Sequence, residues 1–146
     1  MTNISGSFSA NVRVQTILVP QDQPNHELQL AEIHATQKSP DPNWNNSRLT
    51  YSSFADLVSG TGTQRGYFLN EHPDGDRDCG TFEGKVTTSG GVTTLEGTFT
   101  FTSGSGKLTG IRGAGTYKGR MVSPTQIDMT WSGSYETAAA AGQAAA

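Results

Sequence analysis

The segment NEHPDGDRDCG, at positions 70–80, combines one histidine, the only cysteine of the chain and three aspartates at alternate positions. The aspartates are Asp74, Asp76 and Asp78. Their spacing imitates the first three ligand positions of an EF-hand calcium loop, which also needs glycine at its sixth position and glutamate at its twelfth. Those two positions are occupied by Cys79 and Lys85. The segment therefore departs from the EF-hand pattern at both positions.

The same segment offers little to other metals and has a clear turn signature. His72 and Cys79 supply two soft ligands, too few for a structural zinc site. Pro73-Asp74-Gly75 is typical of a turn, because proline fixes φ and glycine accepts a positive φ. We predict a hairpin turn at the rim of the fold, with weak calcium binding at the surface as the alternative. No metal site and no cofactor are predicted.

A second group of reactive residues lies in the segment Glu27–Gln37, whose side chains alternate between two faces. One face carries Leu28, Leu30, Glu32, His34 and Thr36, and the other carries Glu27, Gln29, Ala31, Ile33 and Ala35. If the first face points inward, burial raises the pKa of the carboxylic acid and lowers that of the imidazole, so both become suited to acid–base catalysis. Glu32 and His34 are therefore the candidate catalytic residues. The alternative has Ala31, Ile33 and Ala35 inward and leaves Glu32 and His34 in solvent.

Large apolar and aromatic residues recur at alternate positions of the later segments and could line a cavity. The candidate ligand-binding residues are Tyr51, Tyr67, Phe99, Tyr117, Met129 and Trp131. The same side chains could instead fill the core, and for Trp131 this is the favoured interpretation.

The elements that carry these residues are predicted to be strands. Period-two patterns and turn residues indicate about eight of them, and one apolar and one polar face on each of the later strands favour closure into a barrel. The segments are GSFSANVRVQTILVP, Glu27–Gln37, Arg48–Gly60, Thr63–His72, two around Ser89-Gly90-Gly91 and two around Ser123-Pro124. We expect an all-β, eight-stranded antiparallel barrel as one domain over residues 1–136. The alanine-rich residues 137–146 are expected to form a disordered tail.

The glycine-rich run SGSGKLTG does not fit a phosphate loop. The Walker pattern requires glycine and then serine or threonine where this chain has Phe101 and Leu108. We expect the glycines to permit a tight crossing in which Leu108 and Ile111 plug one end of the barrel.

This run resembles the signature of small bacterial proteins with an allene oxide cyclase-like barrel, within the wider lipocalin-like (calycin-like) group. The matching residues are Gly104, Gly106, Leu108, Gly110, Ile111, Arg112, Gly113 and Gly115. The upstream GTFEGKV and LEGTFTF and the closing DMTWSGSYE are also similar, so the resemblance covers about Ser47 to Glu136. It implies a barrel in a family of mostly unknown function, whose relatives range from plant cyclases to proteins without an assigned reaction.

Composition excludes several classes of function. The formal net charge is −3, which gives no electrostatic reason to expect a nucleic-acid partner. No apolar run is long enough to span a membrane, and the first residues lack the features of a signal peptide, so we expect a cytoplasmic protein. One cysteine cannot form an intramolecular disulfide.

Three functions agree with these patterns. The first is a cofactor-independent isomerase, cyclase or lyase acting on a small hydrophobic molecule inside the barrel, with Glu32 or His34 as acid or base and Tyr67 or Tyr117 orienting the substrate. The second is a non-catalytic protein that binds such a molecule. The third is an oligomeric structural barrel with a filled interior. An acidic or basic group in the cavity favours the first, and a wholly apolar cavity favours the second.

Overall fold

The computed structural model describes residues 1–138 as a closed barrel of eight antiparallel strands. The strands are β1 (Thr2–Leu18), β2 (His26–Thr36), β3 (Arg48–Val58), β4 (Thr61–Glu71), β5 (Arg77–Ser89), β6 (Val92–Gly104), β7 (Arg112–Ser123) and β8 (Gln126–Glu136). Each strand pairs with its neighbour in sequence, and β8 closes the barrel on β1. The prediction of an all-β, eight-stranded antiparallel barrel is confirmed.

Short turns join strands where the sequence contains residues that accept positive φ. Between β3 and β4, Ser59 and Gly60 have φ of 52° and 78°, and between β5 and β6, Gly90 and Gly91 have φ of 59° and 80°. Two successive positive φ values are the signature of the two-residue hairpin turn whose twist matches the strands. The hairpin predicted at Ser89-Gly90-Gly91 is confirmed, and the β3–β4 turn lies one residue earlier than the predicted Gly60-Thr61-Gly62.

Glycines at inward positions make room for the aromatic rings of the core. A Cβ atom added at Gly84 or Gly97 would lie 2.5 or 2.6 Å from the hydroxyl oxygen of Tyr117. The two glycines lie on the adjacent strands β5 and β6. The side chain of Tyr117 therefore fits in its observed position only because neither glycine carries a side chain. This arrangement explains why strands so rich in glycine can still surround a packed interior.

One end of the barrel, here called the closed end, is covered by three connections: residues 37–47, residues 72–76 and residues 105–111. A short 3₁₀ turn (Gly106–Leu108) begins the last of these. Trp44, Leu108 and Ile111 are almost completely buried there. The predicted plug by Leu108 and Ile111 is confirmed, and Trp44 is an additional part of it.

The predicted disordered tail falls mainly on residues 139–146, which lie outside the described residues. Before them, the backbone N–H of Ala138 donates a hydrogen bond to the Thr109 carbonyl at 3.1 Å. Within residues 1–138, no helix has the length and apolar character needed to cross a membrane.

Candidate functional site

The barrel interior contains a cavity with a volume of about 100 Å³. Its lining is mostly aromatic and aliphatic, and its polar members are amides and tyrosines. The lining residues are Phe8, Ile33, Gln37, Trp44, Leu49, Tyr51, Gln64, Phe68, Asn70, Phe82, Leu95, Phe99, Phe101, Tyr117, Ile127, Met129 and Trp131. Five of the six candidate ligand-binding residues, all except Tyr67, are therefore in the cavity wall.

Edge-to-face aromatic pairs hold this wall in place. The ring centroids of Tyr51 and Phe82 are 5.7 Å apart, and those of Phe82 and Tyr117 are 6.0 Å apart. On the other side, Phe99 and Trp131 meet at 5.9 Å. Each such pair contributes about 0.5–1.5 kcal/mol beyond the area it buries. These pairs therefore stabilise the arrangement of the rings around the cavity.

Of the two orientations left open for β2, the one that places Glu32 and His34 in the cavity is wrong, and the alternative with Ala31, Ile33 and Ala35 inward is confirmed. Both lie on the outer face of β2, with exposed side-chain fractions of 47% and 42%, and their side chains contact each other at 3.0 Å. Ile33, between them in sequence, is buried in the wall instead. The physical reason is that Ile33 buries its whole side chain without an unpaired polar group, whereas an inward Glu32 would need a partner that the interior does not supply.

Tyr67 also differs from its predicted position. It is 71% exposed on the outside of β4, because the inward positions of that strand are taken by Gln64, Gly66, Phe68 and Asn70. The aromatic side chain of β4 that reaches the cavity is Phe68. The prediction of Tyr67 as a ligand-binding or orienting residue in the cavity is therefore corrected.

Two polar atoms in residues of the wall have no hydrogen-bond partner among the described residues: the Tyr51 hydroxyl and the Trp44 indole N–H. Leaving such a group buried and unpaired costs about 1–3 kcal/mol. Burial raises the pKa of the Tyr51 hydroxyl well above its usual value, so the hydroxyl keeps its proton at neutral pH. Tyr51 and Trp44 are thus two donors whose side chains border the same cavity.

The second cavity tyrosine is already paired. Tyr117 accepts a hydrogen bond from the Gln64 side-chain amide at 2.8 Å. Burial, partly offset by this hydrogen bond, raises the pKa of Tyr117 to about 12. Like Tyr51, it is a neutral phenol and not a phenolate base at physiological pH.

A buried histidine–aspartate pair lies at the closed end, where the sequence predicted only a turn. His72 Nε2 is 2.5 Å from Asp78 Oδ2, and both side chains are completely buried. His72 Nδ1 contacts the Asn43 carbonyl oxygen, which can only accept, so Nδ1 carries a proton.

A chain of side-chain hydrogen bonds connects this pair to the cavity wall. Asn70 donates to Asp78 Oδ1 at 3.0 Å, and Gln37 donates to Asn70 Oδ1 at 3.2 Å. The indole N–H of Trp131 then donates to Gln37 Oε1 at 2.9 Å. Sequence reasoning missed this network. The available signal for a buried Asp78 was weak. Asp78 lies two residues before Gly80 and four before Phe82, so all three share the inward face of β5.

The predicted turn at Pro73-Asp74-Gly75 is confirmed. The N–H of Gly75 donates to the His72 carbonyl at 2.9 Å, and Gly75 has a φ of 92°. Lys107 from the 3₁₀ turn contacts the carboxylates of Asp74 and Asp76. Its hydrogen bond to Asp74 lowers the pKa of that carboxyl group. Across residues 1–138, no cluster of three or more acidic, histidine or cysteine side chains is arranged to hold a metal ion.

A pH-sensitive contact lies at the opposite end of the barrel. Both ring nitrogens of His26 contact carboxylates, Asp22 Oδ1 and Asp56 Oδ1, at 2.7 Å each. The hydrogen bonds to Asp22 and then Asp56 raise the pKa of His26 above its usual value.

We expect this contact to stabilise the fold at mildly acidic pH. Because the folded-state pKa of His26 is raised, its contribution is fully present below the unfolded pKa and is lost as pH rises through the folded pKa. Urea titrations of wild type and His26→Ala at several pH values should show stabilities that differ most below pH ~6.5 and converge in base. A difference that does not change with pH would contradict this expectation.

Comparisons with models of protein families, with curated proteins and with solved structures found no match for this chain.

Proposed function

We propose that the barrel binds one small, compact and largely apolar molecule that carries a hydrogen-bond acceptor, without transforming it. The observation that carries the proposal is the aromatic cavity inside the barrel, which is bordered by Tyr51, a tyrosine whose buried hydroxyl has no partner among the described residues. A ligand oxygen at that hydroxyl would satisfy a donor that otherwise stays unpaired.

The lining favours binding over catalysis. Among the described residues, no carboxylate, imidazole, ammonium or guanidinium group borders the cavity. The two tyrosines are neutral phenols with raised pKa values, so neither is poised to remove a proton. His72 and Asp78 are separated from the cavity by Asn70 and Gln37, and amide side chains do not ordinarily relay protons. The isomerase, cyclase or lyase alternative therefore lacks an acid–base group in reach of a bound molecule.

The size of the cavity limits the ligand. A dry apolar cavity of about 150 Å³ is known to accept benzene, which has six non-hydrogen atoms. The cavity of about 100 Å³ in this barrel suits a molecule of that size or slightly smaller. Long acyl chains and sterol-sized ligands, which need several hundred Å³, do not fit the interior as it stands.

Cyclopentanone and methylenecyclopentane make a sharp test, because they have the same shape and size and differ in one acceptor oxygen. Both would bind weakly, since six atoms bring limited binding energy, so the measurement is a ¹H–¹³C NMR titration of the Ile33, Ile127 and Met129 methyl groups. We expect cyclopentanone to bind wild type about five to ten times more tightly, as one additional hydrogen bond implies.

The variant Tyr51→Phe should lose this preference and bind both molecules alike. Tyr67→Phe is the matched control: it removes the same oxygen from an exposed tyrosine outside the barrel and should behave as wild type. The proposal fails if neither probe shifts the methyl signals, or if the preference for the ketone survives in Tyr51→Phe.

We propose that the chain is an allene oxide cyclase-like barrel of the calycin-like group. Eight sequential antiparallel strands support it, as does the position of the glycine run between the end of β6 and the middle of β7, across the closed end.

A further inference from the structure

The second half of β1 is exposed on both faces, which is unusual for a barrel strand. All seven residues from Arg13 to Val19 are exposed. Four of them are large and apolar: Val14, Ile17, Leu18 and Val19. On the outer face of β2, Leu30 lies opposite Thr16 and extends the apolar surface.

The same segment has a free backbone edge. β1 pairs with β8 only from Thr2 to Asn11, and the last contact on that side is the hydrogen bond from Val12 N–H to the Thr125 carbonyl. Beyond it, Val14–Leu18 pairs with β2 alone among the described residues, and Arg13 is the bulge residue that precedes this pairing. We call Arg13–Leu18 the edge segment.

Strands with free edges are normally protected by charges, proline or bulges, because they are templates for another strand. Here a bulge between Val12 and Val14 precedes most of the edge segment and Pro20 follows it. Between these two features the only charged residue is Arg13. The sequence VQTIL at the centre of the segment is instead rich in residues that favour strands.

We propose that the edge segment pairs in antiparallel fashion with the same segment of a second copy of this chain, forming a two-fold symmetric dimer with a continuous sheet. Antiparallel self-pairing is closed after two copies, since each edge is used up by the other. The main-chain N–H and C=O groups provide the hydrogen bonds, and the apolar side chains of each copy cover those of its partner.

Charge favours an antiparallel over a parallel arrangement. With the six-residue segments fully overlapped in antiparallel orientation, the two Arg13 side chains are about 17 Å apart, because each residue advances a strand by about 3.4 Å. A parallel pairing in register would place the two arginines side by side, and like charges directly opposite each other are destabilising.

The contact area predicts a reversible dimer. Standard interfaces bury about 800 Å² per partner with 20–30 residues, so seven exposed residues supply roughly 200–300 Å² per copy. Leu30 and its outer-face neighbours add to this, but the total stays below that of a permanent dimer. We therefore expect a dimer that dissociates on dilution.

The test is sedimentation equilibrium of the full chain at concentrations from about 1 to 500 µM, the range in which an interface of this size is expected to populate both states. We expect the average mass to rise towards twice the 15.5 kDa of one chain. Hydrogen exchange of the amides of residues 13–18 should slow over the same concentration range.

Ile17→Lys should remain monomeric, because it places a charged side chain opposite the apolar Val14 of the second copy at the proposed junction. Val92→Lys is the matched control: Val92 is 50% exposed and Ile17 is 49% exposed, but Val92 lies at the tip of the β5–β6 hairpin. The proposal is overturned if wild type stays monomeric throughout, if both lysine variants associate as wild type does, or if the dimer forms without protection of the edge-segment amides.

Discussion

Replacing Asp78 by alanine is expected to lower the free energy of unfolding by about 3–5 kcal/mol, the usual cost of removing one partner from a completely buried histidine–carboxyl pair. The substitution leaves His72 Nε2 and the Asn70 amide without their hydrogen-bond partner inside the closed end. For a domain of this size, such a loss lowers the melting temperature by roughly 10–20 °C. Urea denaturation followed by tryptophan fluorescence measures it, and Trp44 is in contact with His72.

Asp76→Ala is the matched control for Asp78→Ala. Asp76 is two residues away and also contacts a basic side chain, Lys107, but its side chain is 25% exposed instead of completely buried. Surface ion pairs contribute little, so the control should lose no more than about 1 kcal/mol.

A double variant separates two contributions to the loss of stability. One is the loss of the pair itself, and the other is the cost of leaving its second member buried and unpaired. In His72→Phe/Asp78→Leu both members are replaced by apolar groups, and the double variant should be more stable than Asp78→Ala alone. Equal losses of unfolding free energy in Asp78→Ala and Asp76→Ala would contradict this expectation. They would show that the buried His72–Asp78 pair stabilises the fold no more than a partly exposed ion pair does.

The second large effect is expected at Trp44, which is completely buried at the junction of the plug and the cavity. Trp44→Ala should cost about 3–5 kcal/mol, from lost transfer energy and from the space left behind. Trp44→Phe should cost clearly less, since it keeps most of the ring and removes the indole N–H that has no partner among the described residues. Equilibrium unfolding of the two variants gives the comparison.

Trp44→Ala should also change which molecules enter the barrel. Trp44→Ala enlarges the cavity towards the closed end, and we expect 1-indanone, a bicyclic relative of cyclopentanone, to bind this variant and not wild type. Val92→Ala, a truncation at the far hairpin tip, should accept neither more nor larger ligands than wild type. Binding of 1-indanone to wild type at the affinity of cyclopentanone would contradict the small cavity.

The strands could be predicted from the sequence because their signals are local. Gly90-Gly91 and Pro73-Asp74-Gly75 mark turns by their own backbone preferences, and period-two alternation marks the strands between them. The orientation of β2 could not be predicted with the same certainty. Both of its faces carry apolar residues, and the side that turns inward is set by the register with β1 and β3, in which Ile33 lies opposite Val12 and Tyr51.

The buried polar network was beyond sequence reasoning for a different reason. Trp131 and Gln37 are 94 residues apart, yet they share a hydrogen bond. Nothing near Gln37 in sequence indicates that its amide will link a tryptophan of β8 to an asparagine of β4. Five of the six predicted ligand-binding residues lie in the cavity wall, because large side chains at inward positions necessarily meet in a small barrel.

The closure of the barrel by β8 on β1 has a consequence for how the protein is made. Ala10 pairs with Ile127, so this row of hydrogen bonds joins parts of the chain more than a hundred residues apart. Closing a loop of about 120 residues costs roughly 4 kcal/mol in chain entropy. On the ribosome, the first strand is therefore synthesised long before its last partner exists, and both of its edges can be open to other chains in the meantime. Folding of this barrel can be completed only after its eighth strand has left the exit tunnel.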